Sequence, residues 1–297
     1  MSVNIYSDMS GPETDPTTFY SPSAYSKRYP RDQIFEKHLE IVGKLNKEVQ
    51  GIKSDLYKPY GKGKREVYHI YGTDLVDSAP IFIFIHGGYW QEAQVTHDTY
   101  VFIAKNLHKQ NVKTILIGYE LCPAVTVEQI QKNVEGALKI CLEYAKNLES
   151  RSVHLAGHSA GGQLVANLLE SFVPSLPEEE RKLIRTAFLL AGIYDIIPLT
   201  KTEYNEPLKL DEQSAKKVSP MFKKFPKCDV KVYVIVAEND SPPFLTQGKQ
   251  FHEHLIQQGL NSEHILLKNI DHFDLMENLD NEEFEISKLI TKCVTES

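Results

Sequence analysis

A serine that attacks a carbonyl carbon needs a base to take its proton and an acid to orient that base. The stretch "VHLAGHSAGGQL" (153–164) offers such a serine. Gly157-His158-Ser159-Ala160-Gly161 fits G-x-S-x-G, with an apolar strand-like run before it and a helical run after it. Small residues at 157 and 161 allow a sharp turn. The Ser159 hydroxyl then stands above a helix N-terminus, whose free N–H groups and dipole favour developing negative charge. A serine in an ordinary glycine-rich turn is the plainer alternative, but it does not require that strand–turn–helix context.

Eleven histidines could serve as the base. His158 adjoins the serine and is expected to turn away from it and to be structural. His252, His254 and His264 lie on or beside a late helix and strand, where surface or packing roles are expected. His272, in "KNIDHFDL", follows the last strand-like run, on a loop that should emerge at the same sheet edge as Ser159. The acid should come from the loop after the preceding strand, "VYVIVAENDSPPF". Asp240 lies deepest there, with Glu238 and Asp271 as alternatives.

A tetrahedral intermediate also needs backbone N–H donors already facing its oxyanion. Ala160, directly after the serine, should supply one. The other should come from "HGGYW" (86–90), where Gly88, with Gly87 or Tyr89 beside it, bares the backbone after a buried strand. His86 is expected to brace this loop. Tyr89 and Trp90, the only tryptophan, are candidate substrate contacts, although a lone Trp after a strand is as often core packing.

These residues need a scaffold. Strand patterns are read at 64–72, 80–88, 112–121, 152–159, 186–195, 230–240 and 262–271. Helical patterns at 99–110, 126–148, 160–173, 243–260 and 282–294 fall between and after them. An earlier helix over 32–49 has Asp32 placed to cap it. Strand "PIFIFI" is apolar on both faces, as a strand covered by helices must be. The alternation predicts an α/β fold, a mostly parallel twisted sheet with helices on both faces. One domain over 1–297 is expected. Residues 1–60 form an N-terminal arm and helix, irregular up to about 31, and 196–226 form a small cap insertion over the sheet edge.

The 297 residues carry a net charge of −7, which argues against nucleic-acid binding and a polybasic membrane anchor. No run of apolar residues is long enough to span a bilayer. The opening "MSVNIYSDMSGPETD" does not read as a secretory signal. The four cysteines are scattered without C-x-x-C or zinc-ligand spacing, so no metal is expected and a reducing compartment fits.

Taken together, "HGG", "GYELCP", "GHSAGG" and "AENDSPPF…DHF" resemble the hormone-sensitive-lipase-like branch of the α/β-hydrolases, over about 80–275. The order Ser159, Asp240, His272 matches that superfamily. "HGGYW", "YELCP" and "AGIYD" resemble more narrowly the kynurenine formamidase (arylformamidase) family, as does "YSPSAYSKRYPRDQIFEKH". The resemblance implies a triad of Ser159, Asp240 and His272 and an oxyanion loop of Gly87, Gly88 and Tyr89 with Ala160. It further implies hydrolysis of N-formyl-L-kynurenine to L-kynurenine and formate in tryptophan catabolism, without a cofactor, by a cytosolic and often homodimeric enzyme. Tyr89 and Trp90 would then meet the aryl ketone. A short-acyl carboxylesterase and a hydrolase-fold binding module without chemistry are the competing readings.

Overall fold

The computed structural model describes residues 15–296. The readings of residues 1–14, as the first part of an irregular arm and as no secretory signal, lie outside them. The core is one eight-stranded sheet. Its strands are β1 (Ser54–Pro59), β2 (Val67–Tyr71), β3 (Ile81–Ile85), β4 (Lys113–Ile117), β5 (Val153–His158), β6 (Ile184–Leu190), β7 (Lys231–Ala237) and β8 (Ser262–Leu267). Their spatial order is β1-β2-β4-β3-β5-β6-β7-β8. The first two pairings are antiparallel and all the others parallel.

Strand β3 shows how the sequence makes this sheet. Ile81, Ile83 and Ile85 enter the core on one face, and Phe82 and Phe84 the core on the other. All five are buried. Each such side chain contributes roughly 1.5–3 kcal/mol by leaving water, so the central strand is held from both sides. Helices Val127–Asn147 and Ala160–Asn167 cover the first face, and Ile103–Lys109 and Glu285–Thr295 the second. Thr126 caps the longest helix by accepting the N–H of Gln129.

Two local expectations change. Strand β1 is absent from the sequence reading because its burial is slight and irregular and it ends in Pro59, as suits an edge strand. The early helix spans Ile34–Asn46, and its N-cap is Gln33, with no side-chain cap. Asp32 therefore does not cap it. The helix instead starts on the Pro30 carbonyl, which accepts the N–H of Ile34. Its buried stripe is Ile34, His38 and Val42, a polar ring among apolar neighbours. The described part of the arm carries two short helical turns, at Pro16–Phe19 and Pro22–Ala24, within an otherwise irregular run.

Within 196–226 the chain forms short helical turns at Ile197–Lys201, Asn205–Leu208, Glu212–Val218 and Pro220–Phe222. The register brings five loop-bearing strand ends to one edge. Ile85 pairs with Gly157, His158 with Leu190, Leu190 with Ile235, and Ala237 with Leu267. Among the described residues no helix is long and apolar enough to cross a membrane.

Candidate active site

At that edge Ser159 adopts φ 55° and ψ −119°, a left-handed backbone for a residue with a Cβ. Such a conformation stores of order 1–3 kcal/mol and persists only where its surroundings impose it. Here they do. The Ser159 N–H donates to the Leu190 carbonyl at 2.8 Å, and its own carbonyl accepts the N–H of Gly162 at 2.9 Å. A Cβ on Gly157 would run into the Gly161 carbonyl, and one on Gly161 into that of Ile85. The small residues of G-x-S-x-G are thus required by backbone contact.

The "HGGYW" loop meets the elbow from β3. A Cβ on Gly87 would stand 2.8 Å from the His158 carbonyl oxygen and 2.9 Å from the Ser159 Cβ. Gly88, Tyr89 and Trp90 follow at φ 101°, 47° and 58°, a left-handed run that turns the chain sharply. Ala160 is fully buried at the start of its helix. His86 braces the loop. Its Nδ1 donates to the Gly87 carbonyl at 2.9 Å, and its ring stacks on Tyr119 at 4.2 Å. Burial lowers the His86 pKa to about 3, so this ring stays neutral.

His272 Nδ1 lies 2.6 Å from Asp240 Oδ2, both side chains being nearly inaccessible. The second Asp240 oxygen accepts the Ser241 N–H at 2.7 Å. The alternatives for the acid are engaged elsewhere. Glu238 pairs with Lys268 on the surface, and Asp271 receives Ser26 and Arg28 from the arm. Ser159, His272, Gly88 and Tyr89 all line one cavity of about 390 Å³. The structure thus brings these residues to one place, with Gly87 and Ala160 directly behind.

One expectation fails here and a second holds in part. Trp90 is fully buried, donates its indole N–H to Gln163 Oε1 at 3.2 Å, and does not line the cavity. It packs the core beneath the loop and is not a substrate contact. His158 is structural as expected, but its ring turns toward His272. Its Nε2 donates to the His272 carbonyl at 3.0 Å, and the two rings lie 4.5 Å apart. Burial, then the neighbouring His272, pushes its pKa well below the usual histidine range. It is a neutral strut under the His272 loop. His252 and His254 bond Ser262 and the Lys223 carbonyl at a distance from the cavity.

Several lining residues are not among the candidates named from the sequence. Pro22 and Ser23 come from the arm, Tyr204 from the cap, and Phe35, His38 and Tyr100 from the other side. Tyr89 ties these parts together. Its ring stacks on Tyr204 at 4.2 Å, and its hydroxyl donates to the Tyr20 carbonyl at 2.5 Å. His38 lies on the buried face of the early helix with Ile34 and Val42. Its Nδ1 contacts Glu277 at 2.8 Å and its Nε2 contacts the Tyr100 hydroxyl at 3.0 Å.

Among the described residues one group has metal-ligand atoms close together. His69, His97 and Asp98 each place one within 4.8 Å of the others. The Tyr57 N–H donates to His69 Nδ1 at 2.9 Å, and His69 Nε2 faces Asp98 Oδ1 at 2.8 Å. Both ring nitrogens of His69 are thus already engaged by protein groups.

The fold and residues of this edge agree with known proteins. The α/β-hydrolase fold family matches residues 82–275. The chain is 30% identical over 287 residues to a kynurenine formamidase of Drosophila melanogaster, covering 91% of this chain and 94% of that one. It is also 30% identical over 289 residues to a kynurenine formamidase of Salmo salar, covering 94% and 95%. A candidate thioesterase of Silicibacter sp. TM1040 superposes with a TM-score of 0.76 at 26% identity, over 96% of this chain and 100% of that one. The chain belongs to the α/β-hydrolase fold family and, within it, to the kynurenine formamidases.

Proposed function

We propose that this protein hydrolyses the formamide of N-formyl-L-kynurenine to L-kynurenine and formate, through a formyl-enzyme on Ser159. The observation that carries this reading is the His272–Asp240 pair, 2.6 Å apart, with His272 lining the same cavity as a serine held at a strained elbow. The formamidase relatives above supply the substrate class.

The chemistry follows from the parts. His272, its Nδ1 proton held by Asp240, takes the Ser159 hydroxyl proton on Nε2 as the oxygen attacks the formyl carbon. The carbonyl oxygen gathers negative charge and is received by the N–H groups of Ala160 and Gly88, with Gly87 or Tyr89 beside it. Collapse breaks the C–N bond, and the His272 imidazolium protonates the leaving aryl amine. Water, deprotonated by the same ring, then attacks the formyl ester and releases formate and free Ser159. The acyl group carries only hydrogen, so the aromatic wall at Tyr89 and Tyr204 need not make room for an acyl chain. It can instead lie against the aryl ketone.

Turnover of N-formyl-L-kynurenine measured beside p-nitrophenyl acetate tests this reading. A kcat/KM at least about a hundredfold higher for the formamide, roughly 2.7 kcal/mol of transition-state preference, is expected. An enzyme that cleaves the ester alone overturns it in favour of a short-acyl esterase. Failure of an organophosphate to label Ser159 overturns the formyl-enzyme.

A further inference from the structure

The cavity carries an uneven set of charges. Among the described residues no lysine or arginine lines it, and Glu92 is its one carboxylate. The two lining histidines nearest to carboxylates, His38 and His272, already hold Glu277 and Asp240. A third, His158, is kept neutral. Glu92 is only half committed. One of its oxygens accepts the Gln94 N–H at 3.0 Å, and the other has no protein partner among the described residues.

Position makes Glu92 useful. Its N–H donates to the Gly88 carbonyl at 2.8 Å, closing a single turn back onto the "HGGYW" loop. Its Cβ packs against the space beside Gly88. Gly88, one of the proposed oxyanion amides, and Glu92 line the same cavity. A substrate held by its formyl group at those amides would present its far end to a carboxylate.

A free amino acid side arm brings both an ammonium and a carboxylate. In this cavity the two are not equivalent. The ammonium gains a charge-assisted hydrogen bond from Glu92. The substrate carboxylate finds no cation and meets a like charge if it is buried. We infer that Glu92 is a specificity-determining residue that binds the α-ammonium of the aryl formamide substrate, leaving its carboxylate directed to solvent at the cavity mouth. The inference rests on the formamidase reading above and adds the orientation of the substrate within it.

The test compares two formamides in wild type and Glu92→Gln. One is N-formyl-L-kynurenine, and the other is the same aryl ketone acid lacking the α-amino group. Glu92→Gln is expected to lower kcat/KM for the amino substrate about tenfold, carried by KM. It is expected to leave the des-amino compound unchanged or improve it, because a repelling charge is gone. Inhibition by L-kynurenine should weaken by the same factor. Equal losses on both substrates, or none on either, overturn the inference while the formamidase reading stands. A wild type that cleaves neither compound, nor N-formylaniline, overturns the reading and the inference with it.

Discussion

On one side of the cavity, Gly87, Gly88, Ser159 and Ala160 are placed by the backbone itself. Carbonyl and N–H groups of neighbouring strands hold the elbow, and there is no room for a Cβ at Gly157 or Gly161. On the other side, His272 sits on a loop held by side chains from far along the sequence. Arg28 donates Nε to Asp271 at 2.9 Å and Nη1 to Glu277 at 2.7 Å, and Ser26 adds a bond of 2.6 Å to Asp271. His38 holds the same Glu277, and His158 holds the His272 carbonyl. A backbone wall tolerates almost no substitution but needs no distant partner. A side-chain wall can be loosened one bond at a time, so it is where activity can be tuned without unfolding.

The largest effects should separate chemistry from that scaffolding. Ser159→Ala is expected to lower kcat by about a millionfold, while Tm changes little, since the methyl group fits the same strained backbone. A fall in Tm of many degrees would mean that the hydroxyl, and not the backbone, holds the first wall. Asp240→Asn should cost about ten-thousandfold in kcat by favouring the wrong His272 tautomer. Retention of more than a tenth of activity would mean that the other contacts of the second wall orient His272 without Asp240.

This contrast also explains what was readable in the sequence. Backbone demands leave a residue signature, because only glycine or alanine fits where carbonyls crowd. "GHSAGG" and "HGG" could therefore be recognised with their strand and helix context, and the parallel sheet followed from the alternating runs. Side-chain networks leave no such mark. Arg28 and Asp271 are 243 positions apart, and although Arg28 falls within the family-like stretch 20–38, its charge alone does not distinguish it from a solvated surface cation. Tyr204 and Phe35 looked like any aromatic of a cap or an amphipathic helix. Trp90 was misplaced for a related reason. Its neighbour Tyr89 faces the cavity, while the left-handed turn carries the indole down to Gln163.

Arg28→Ala gives the next effect. Asp271 is only 2% exposed and Glu277 9%, while Arg28 is 26% exposed. Removing the cation leaves two nearly buried carboxylates short of their partner, a loss of about 2 kcal/mol after allowance for solvent at Arg28. The His272 loop should then wander, lowering kcat about ten- to hundredfold with little change in KM. Arg28→Lys should recover only part, because an ammonium cannot fork to both acids as the guanidinium does. An Arg28→Ala enzyme with full kcat would show that the backbone wall alone positions the site.

The smallest effect is a difference in pH response between the two walls. Burial lowers His86 to about 3 and pushes His158 well below the usual range. A histidine whose folded pKa is depressed stabilises the fold fully above about 6.5, and that stability is lost as pH falls toward the folded value. Each contributes at most about 1.4 kcal/mol per pH unit in that window. The side-chain wall behaves in the opposite sense at Asp274. Burial and then the charge of Asp271 raise it to about 7, whereas Asp271, pushed up by burial, is held low overall by Arg28 and Ser26. A carboxyl raised above its unfolded value of about 3.9 stabilises fully below that value and loses its contribution as pH climbs through about 7. Acid should therefore weaken the His86 brace of the backbone wall and the His158 strut under the His272 loop, whereas mild alkali should act only on the His272 wall, at Asp274. Asp274→Asn fixes the neutral form, so Tm should become flatter between pH 6 and 8.5, with a gain of about 2–4 °C at the upper end. The acid limb, set by the histidines, should be unmoved. A variant whose whole Tm–pH curve shifts in parallel would show that the two walls respond to pH as one.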